Sequence, residues 1–187
     1  MHIFNKFLEN MLYQNCDKRE DVINAVLRRA SVRVPGIAFD VGSVGKFGKP
    51  NPYSFRSDSG YKIELKPGRS LERLPSMDIC EVAWDALTLV LNEGESVCYT
   101  AMSIPEGTPL FIEAEAESSA ALNIYSKDRL LSSLTLAPNE NTRRKGCELA
   151  AADELTLKLE AVRGSLRLHA VCFGDAEESN YGSFLEI

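Results

Sequence analysis

The sequence predicts a mainly β protein, an antiparallel β-sandwich of jelly-roll type preceded by one or two short N-terminal α-helices. Three observations carry this reading. Short runs of alternating apolar and polar residues recur from Tyr61 to Phe173. Turn residues separate those runs at regular spacing, and no helical period intervenes. The 187 residues are 44% hydrophobic and 26% charged, the composition of a globular chain that can bury a core without disulfides or metals. The division expected is a helical arm over 1–34, a sandwich over 35–174 and an acidic tail over 175–187.

The arm comes first. Ile3, Phe4, Phe7, Leu8, Met11 and Leu12 follow the i, i+3, i+4, i+7 spacing of one helix face. Asp17-Lys-Arg-Glu20 resembles a capping box, and Val22, Ile23, Val26 and Leu27 supply the stripe of a second helix. Arg28 and Arg29 suit the negative pole at its end. From Ile37 the texture changes. Gly42, Gly45, Gly48, Pro50, Pro52 and Gly60 punctuate a stretch without period, which reads as a long irregular loop.

Strands follow. Tyr61–Leu65 alternates, Leu87–Leu91 is mostly apolar and Val97–Ala101 alternates again. The cleanest is Ile112-Glu-Ala-Glu-Ala-Glu117, with Ile112, Ala114 and Ala116 inward and three glutamates outward on a solvated face. Leu122 and Ile124 continue the series, then Leu134 and Leu136. The last two runs are Leu155–Leu159 and Leu166–Ala170. Taking Arg163-Gly164 as a two-residue turn pairs Leu159 with Leu168, Glu160 with Arg167 and Lys158 with His169. That register gathers the apolar residues on one face and leaves His169 outward. The strand count, eight to ten, suits a jelly roll better than a small barrel.

Charge and cysteine usage exclude several functions. Acids outnumber bases 27 to 21, a net charge of −6, which argues against a nucleic-acid partner because phosphate binding needs a basic face. No stretch approaches 18 apolar residues, so no membrane-spanning helix is expected. The N-terminus carries Asn5, Glu9 and Asn10 among its apolar residues, unlike a secretory leader. The five cysteines form no close pair, so they read as reduced thiols in a cytoplasmic protein rather than as a disulfide or zinc framework.

The sequence carries no complete catalytic pattern. The two histidines, His2 and His169, have no sequence partner that would make a nucleophile–base pair. Gly42-Ser-Val-Gly-Lys-Phe-Gly48 fails the phosphate-loop pattern, since position 40 is Asp and Phe47 follows Lys46. Glu113, Glu115 and Glu117 stand about 7 Å apart along a strand, but exposed acids stay ionised and donate no proton. Asp58, Asp78 and Asp85 show no calcium motif. Trp84 reads as core, and Arg143-Arg-Lys145 as the solvated turn before Cys147. No enzyme, cofactor or metal is expected.

The remaining constellation is aromatic and polar. Phe47, Tyr53, Phe55 and Tyr61 are interleaved with Lys49, Asn51, Arg56, Asp58 and Lys62. Rings that stack on a pyranose and charged groups that bond its hydroxyls are the equipment of a sugar site, and loops on a rigid scaffold are where such residues collect. Tyr53, Phe55, Arg56, Asp58, Tyr61 and Lys62 are therefore the candidate ligand residues.

A resemblance points the same way. The cadence Leu110-Phe-Ile-Glu-Ala-Glu-Ala-Glu117, then Leu122-Asn-Ile-Tyr125, then a terminal hairpin ending Ala170-Val-Cys-Phe173 is similar to the second half of carbohydrate-binding-module or galactose-binding-like jelly rolls. It covers residues 109–174 and rests on strand texture. It implies a jelly-roll module. Such families often close on a strand with an acidic ligand residue near its end, for which Asp175 is the nearest counterpart. The function expected is a non-catalytic binding module for a carbohydrate or a protein partner. The alternative is an assembly subunit, a homo-oligomer or shell component, that docks through Phe4, Phe7, Leu8 and Met11.

Overall fold

The computed structural model describes residues 26–46, 58–68, 72–73, 80–81 and 86–176. Its strands are β1 Val32–Pro35, β2 Lys62–Leu65, β3 Glu72–Arg73, β4 Cys80–Glu81, β5 Leu87–Leu91, β6 Ser96–Ile104, β7 Thr108–Ala116, β8 Ala120–Ser126, β9 Arg129–Leu136, β10 Glu140–Leu149, β11 Ala152–Arg163 and β12 Leu166–Phe173. A six-stranded sheet runs β10-β7-β12-β5-β2, with β1 paired to the C-terminal half of β12. A four-stranded sheet runs β6-β11-β8-β9, and β3 pairs with β4. All pairings are antiparallel. The predicted β-sandwich is what the chain builds.

The core lies between the two larger sheets. Leu87, Leu89, Leu91, Leu110, Ile112, Leu168 and Phe173 come from one, and Val97, Tyr99, Leu122, Ile124, Leu157 and Leu159 from the other. Alternation explains why: each strand presents every second residue to the facing sheet. The irregular stretch expected after Ile37 is only partly a solvated loop. Ile37, Ala38 and Phe39 are buried, and the Phe39 ring meets Tyr61 edge-on at 4.9 Å between centroids. Arg28 Nη2 donates to the Ala38 carbonyl at 2.7 Å and Nη1 to Asp40 at 2.6 Å. Thr100 Oγ1 on β6 donates to the other Asp40 oxygen at 2.7 Å. These bonds tie the segment to the edge of the four-stranded sheet.

The terminal hairpin is not formed. β11 pairs with β6 and β8, whereas β12 pairs with β5, β7 and β1. The turn at Gly164 carries the chain from one sheet to the other, so Leu159 and Leu168 meet across the core rather than along a ladder. Two strands with one apolar face each can be zipped edge to edge or stacked face to face, and both arrangements satisfy the same alternation. Gly164 has φ +68°, and a Cβ there would stand 2.7 Å from the Ser119 carbonyl oxygen, so the crossing requires glycine. The basic run also moves: Arg143, Arg144 and Lys145 lie within β10, not in a turn.

The predicted N-terminal helix face with Phe4, Phe7, Leu8 and Met11 lies outside the described residues, as does Trp84.

Candidate functional site

The outward face of the six-stranded sheet is assembled by alternation. On β7, Leu110, Ile112, Ala114 and Ala116 face the core, which leaves Phe111, Glu113 and Glu115 outward, with Glu117 just beyond the strand. β12 sets Arg167 opposite Glu115, and β5 sets Val90 opposite Arg167. β2 adds Lys62 opposite Val90, with Glu64 on the same face. One irregularity shapes the whole face. The β12–β7 register shifts between Leu168 and Ala170, so His169 and Ala170 together oppose Glu113 in a β-bulge. Gly36 seals the bulge from the β1 side, donating its N–H to the His169 carbonyl at 2.8 Å. A Cβ on Gly36 would lie 2.1 Å from the Leu168 carbonyl oxygen, so only glycine permits this approach.

Charges on the face are interlocked. Arg167 spreads its guanidinium over three carboxylates: Nε to Glu64 at 3.0 Å, Nη1 to Glu115 at 3.3 Å and Nη2 to Glu117 at 2.6 Å. Lys62 pairs with Glu64 as well. Arg33 on β1 holds Glu113 through Nε at 3.0 Å and Nη2 at 2.7 Å. Burial works to raise the pKa of Glu113, but the hydrogen bonds and charge of Arg33 outweigh it and hold the carboxyl below its ordinary range. Glu64 is likewise low, burial being overcome by Lys62 and Arg167.

His169 sits at the centre, 7% exposed. Its Nδ1 lies 3.0 Å from Thr88 Oγ1, which in turn donates to the Leu168 carbonyl at 3.0 Å. That carbonyl can only accept, so the single Thr88 hydrogen is committed and Nδ1 must be the donor to Thr88. In the neutral ring Nε2 then carries a lone pair. Among the described residues Nε2 is buried without a hydrogen bond, and Glu115 Oε2 stands 3.5 Å away. Burial, then the charge of Lys66, lower the His169 pKa against the opposing pull of Glu115. Two depressions on this face are both lined by Glu115 and are together called the furrow. One, of about 190 Å³, is lined by Lys62, Glu64, Asn92, Glu117 and Arg167 among others. The other, of about 330 Å³, is lined by Arg33, Lys66, Glu113, Asn141 and His169.

Tyr53, Phe55 and Arg56 lie outside the described residues. Asp58 is exposed beside an opening of about 350 Å³ lined by Phe39, Val41, Val44 and Ser59. Tyr61 is 1% exposed and donates its hydroxyl to the Ser96 carbonyl, so its ring belongs to the core. Burial, then Glu95 and Cys98, push its phenol up to about 12. Of the described candidates, Lys62 alone lines the furrow. Two further readings are corrected. His169 faces Glu115 and Thr88 rather than Lys158, because β11 is in the other sheet. Glu113 and Glu115 are partly buried in ion pairs, while Glu117 remains open at 74% side-chain exposure. A signal for the furrow was present in the sequence. Apolar parity in Leu166-Arg-Leu-His-Ala-Val-Cys-Phe173 switches after Leu168 to Val171 and Phe173, which is how a bulge at 169–170 is written.

A general acid needs a carboxyl raised toward neutrality, whereas Glu64 and Glu113 are held down by cations. Thr88 and His169 imitate a hydroxyl–imidazole pair, but Thr88 is fully buried and its hydrogen is spent on a carbonyl. Among the described residues, no three His, Cys, Asp or Glu side chains are placed to hold a metal. The face presents an array of guanidinium donors and carboxylate acceptors already paired with one another.

Fold and face together define an antiparallel β-sandwich with a polar, charge-paired furrow on one sheet. No protein-family model matches the chain, and no curated protein matches it in sequence. Solved structures do. The fold is similar to that of a family 6 carbohydrate-binding module from Clostridium stercorarium in complex with cellobiose, at 12% identity and TM-score 0.51, over 79% of this chain and 96% of that one. A second family 6 module matches at 9% identity and TM-score 0.51, over 79% and 96%. A family 43 arabinoxylan arabinofuranohydrolase from Bacillus subtilis, in complex with cellotetraose, matches at 11% and 0.51 over 79% of this chain and 28% of that one. At these identities the likeness is one of fold.

Proposed function

We propose that the protein is a non-catalytic carbohydrate-binding module whose ligand lies along the furrow of the six-stranded sheet. The observation that carries this reading is the pre-set array on Arg167, Glu64, Glu115 and Glu117. Each sugar hydroxyl both donates and accepts, and guanidinium–carboxylate pairs offer both partners in fixed geometry without further ordering. Charges that neutralise one another suit a neutral ligand. The shared fold supports the reading, since a solved carbohydrate-binding module of this shape is in complex with cellobiose. The loop residues Tyr53, Phe55, Arg56 and Asp58 are proposed as a second contact.

Calorimetric titration against soluble gluco- and xylo-oligosaccharides tests it. Binding is expected, with loss of about tenfold or more in affinity for Arg167→Ala, the usual scale for deleting a charge-assisted hydrogen-bond partner. Alanine at Tyr53 and Phe55 separates the second contact from the first. Absence of binding across the panel, or affinity untouched by Arg167→Ala, refutes the furrow as the ligand site.

A further inference from the structure

We infer that His169 and Arg167 compete for the carboxylate of Glu115, so that proton uptake by His169 withdraws that carboxylate from the furrow and weakens ligand binding in mild acid. The inference rests on the carbohydrate-binding reading for its functional consequence, though not for the proton-driven movement itself.

The geometry supplies the switch. Thr88 fixes the ring by accepting from Nδ1, so the only site left for a second proton is Nε2. In the neutral ring two acceptors, Nε2 and Glu115 Oε2, face each other at 3.5 Å, and among the described residues Nε2 makes no hydrogen bond. A proton on Nε2 converts that mismatch into a charge-assisted hydrogen bond, whose ordinary length is about 2.8 Å. The carboxylate must then move toward the histidine. Its other hold is the longest of the three Arg167 contacts, 3.3 Å against 3.0 and 2.6 Å, so it is the one most readily released. Glu115 lines both depressions, so an Oε2 committed to the imidazolium is no longer available to a ligand as an acceptor.

Other charges facing the ring set where the switch operates. Lys66, which follows β2, opposes protonation, while Glu115 and Glu113 from β7 favour it. Arg33 from β1 lines the same depression and engages Glu113. Asn141 from β10 and Thr88 from β5 are neutral. Burial tips the balance, and the ring titrates below the ordinary value of 6.5.

The test is a pair of titrations on the full chain. NMR of the imidazole carbons, with His2→Gln to assign the two rings, follows His169 from pH 7.5 to 5, while the Arg167 guanidinium Nη resonances, which include the donor to Glu115, are followed in the same samples. Expected are a His169 midpoint below 6.5, a lower midpoint in Glu115→Gln, and an Arg167 shift that tracks the His169 midpoint. In parallel, affinity for the best oligosaccharide should fall about tenfold across the same transition, the scale of one charged hydrogen bond. His169→Asn should make the ratio of affinities at the two pH values close to one, whatever its absolute affinity. A ring that stays neutral to pH 5, or an Arg167 signal that ignores its titration, overturns the inference. So does wild-type affinity that is flat across the titration. If no oligosaccharide binds, the carbohydrate reading fails, and the two NMR curves still decide the proton-driven movement.

Discussion

The two outer sheet faces of this sandwich are made from the same alternation yet differ in kind. On the six-stranded face, Arg33, Glu113, Arg167, Glu64 and Glu115 are partly buried and locked in multiple ion pairs. On the four-stranded face the polar contacts are short and local. Thr100 bonds Thr156 at 2.8 Å, Asn123 bonds the Tyr125 hydroxyl at 2.9 Å, and Ser133 bonds Asn123 at 2.7 Å. Lys158 rests 5.3 Å from the Tyr125 ring centroid and pairs with Glu160 at 3.1 Å. Deeper burial of its paired charges is what sets the first face apart, Arg33 and Glu113 at 10% and 18% side-chain exposure against Lys158 and Glu160 at 43% and 29%. It makes the first rigid and costly to disturb, whereas water can replace the partners on the second.

Substitutions can break or sharpen that contrast. The largest effect is expected from Arg33→Ala, which leaves the Glu113 carboxylate partly buried without its main cation. A loss of about 3 kcal/mol in unfolding free energy, read by denaturant melts, is the scale for removing one partner of a buried pair. Next is Thr88→Val, which strips the Leu168 carbonyl and His169 Nδ1 of their partner at nearly constant volume, and should cost about 1–3 kcal/mol. Smallest is Lys158→Ala on the opposite face, expected at about 0–1 kcal/mol. Equal costs for Arg33→Ala and Lys158→Ala would erase the distinction between the faces.

Acid should find the same asymmetry. Glu64 and Glu113 have folded pKa values below their ordinary 4.5, so the unfolded chain takes up protons first as pH falls. Their stabilisation is complete above the unfolded value and is lost as pH drops through the depressed folded values. Arg33→Ala should flatten that acid limb, and Lys158→Ala should leave it unchanged. Denaturant midpoints measured from pH 7 to pH 3 for the three proteins check this.

How much of this was legible in the sequence follows from what alternation encodes. Period two placed Ile112, Ala114, Leu157 and Leu168 in the core and named the strands that carry them. It could not say which strand lies beside which, so β11 and β12 were zipped into a hairpin that the structure divides between two sheets. With that error His169 was set beside Lys158 instead of Glu115, and the furrow disappeared from view. Glu113, Glu115 and Glu117 read as a solvated row because their cations, Arg33 and Arg167, lie 80 and about 50 residues away in the chain. The aromatic loop drew the candidate site because its residues are neighbours in sequence, whereas Tyr61 turns its ring into the core. The parity switch after Leu168 writes the bulge into the sequence, but the strand pairing that brings Glu115 to it shows only once the topology is known.

The central claim is that ligand binds the interlocked face. Titrating an isotope-labelled chain with an oligosaccharide, and following amide and arginine side-chain resonances, tests it most directly. Shifts should concentrate on Glu64, Glu115, Glu117, Arg167 and their strand neighbours. Shifts centred instead on Asn123, Tyr125 and Lys158 of the opposite face, with the Arg167 signals unmoved, would contradict it.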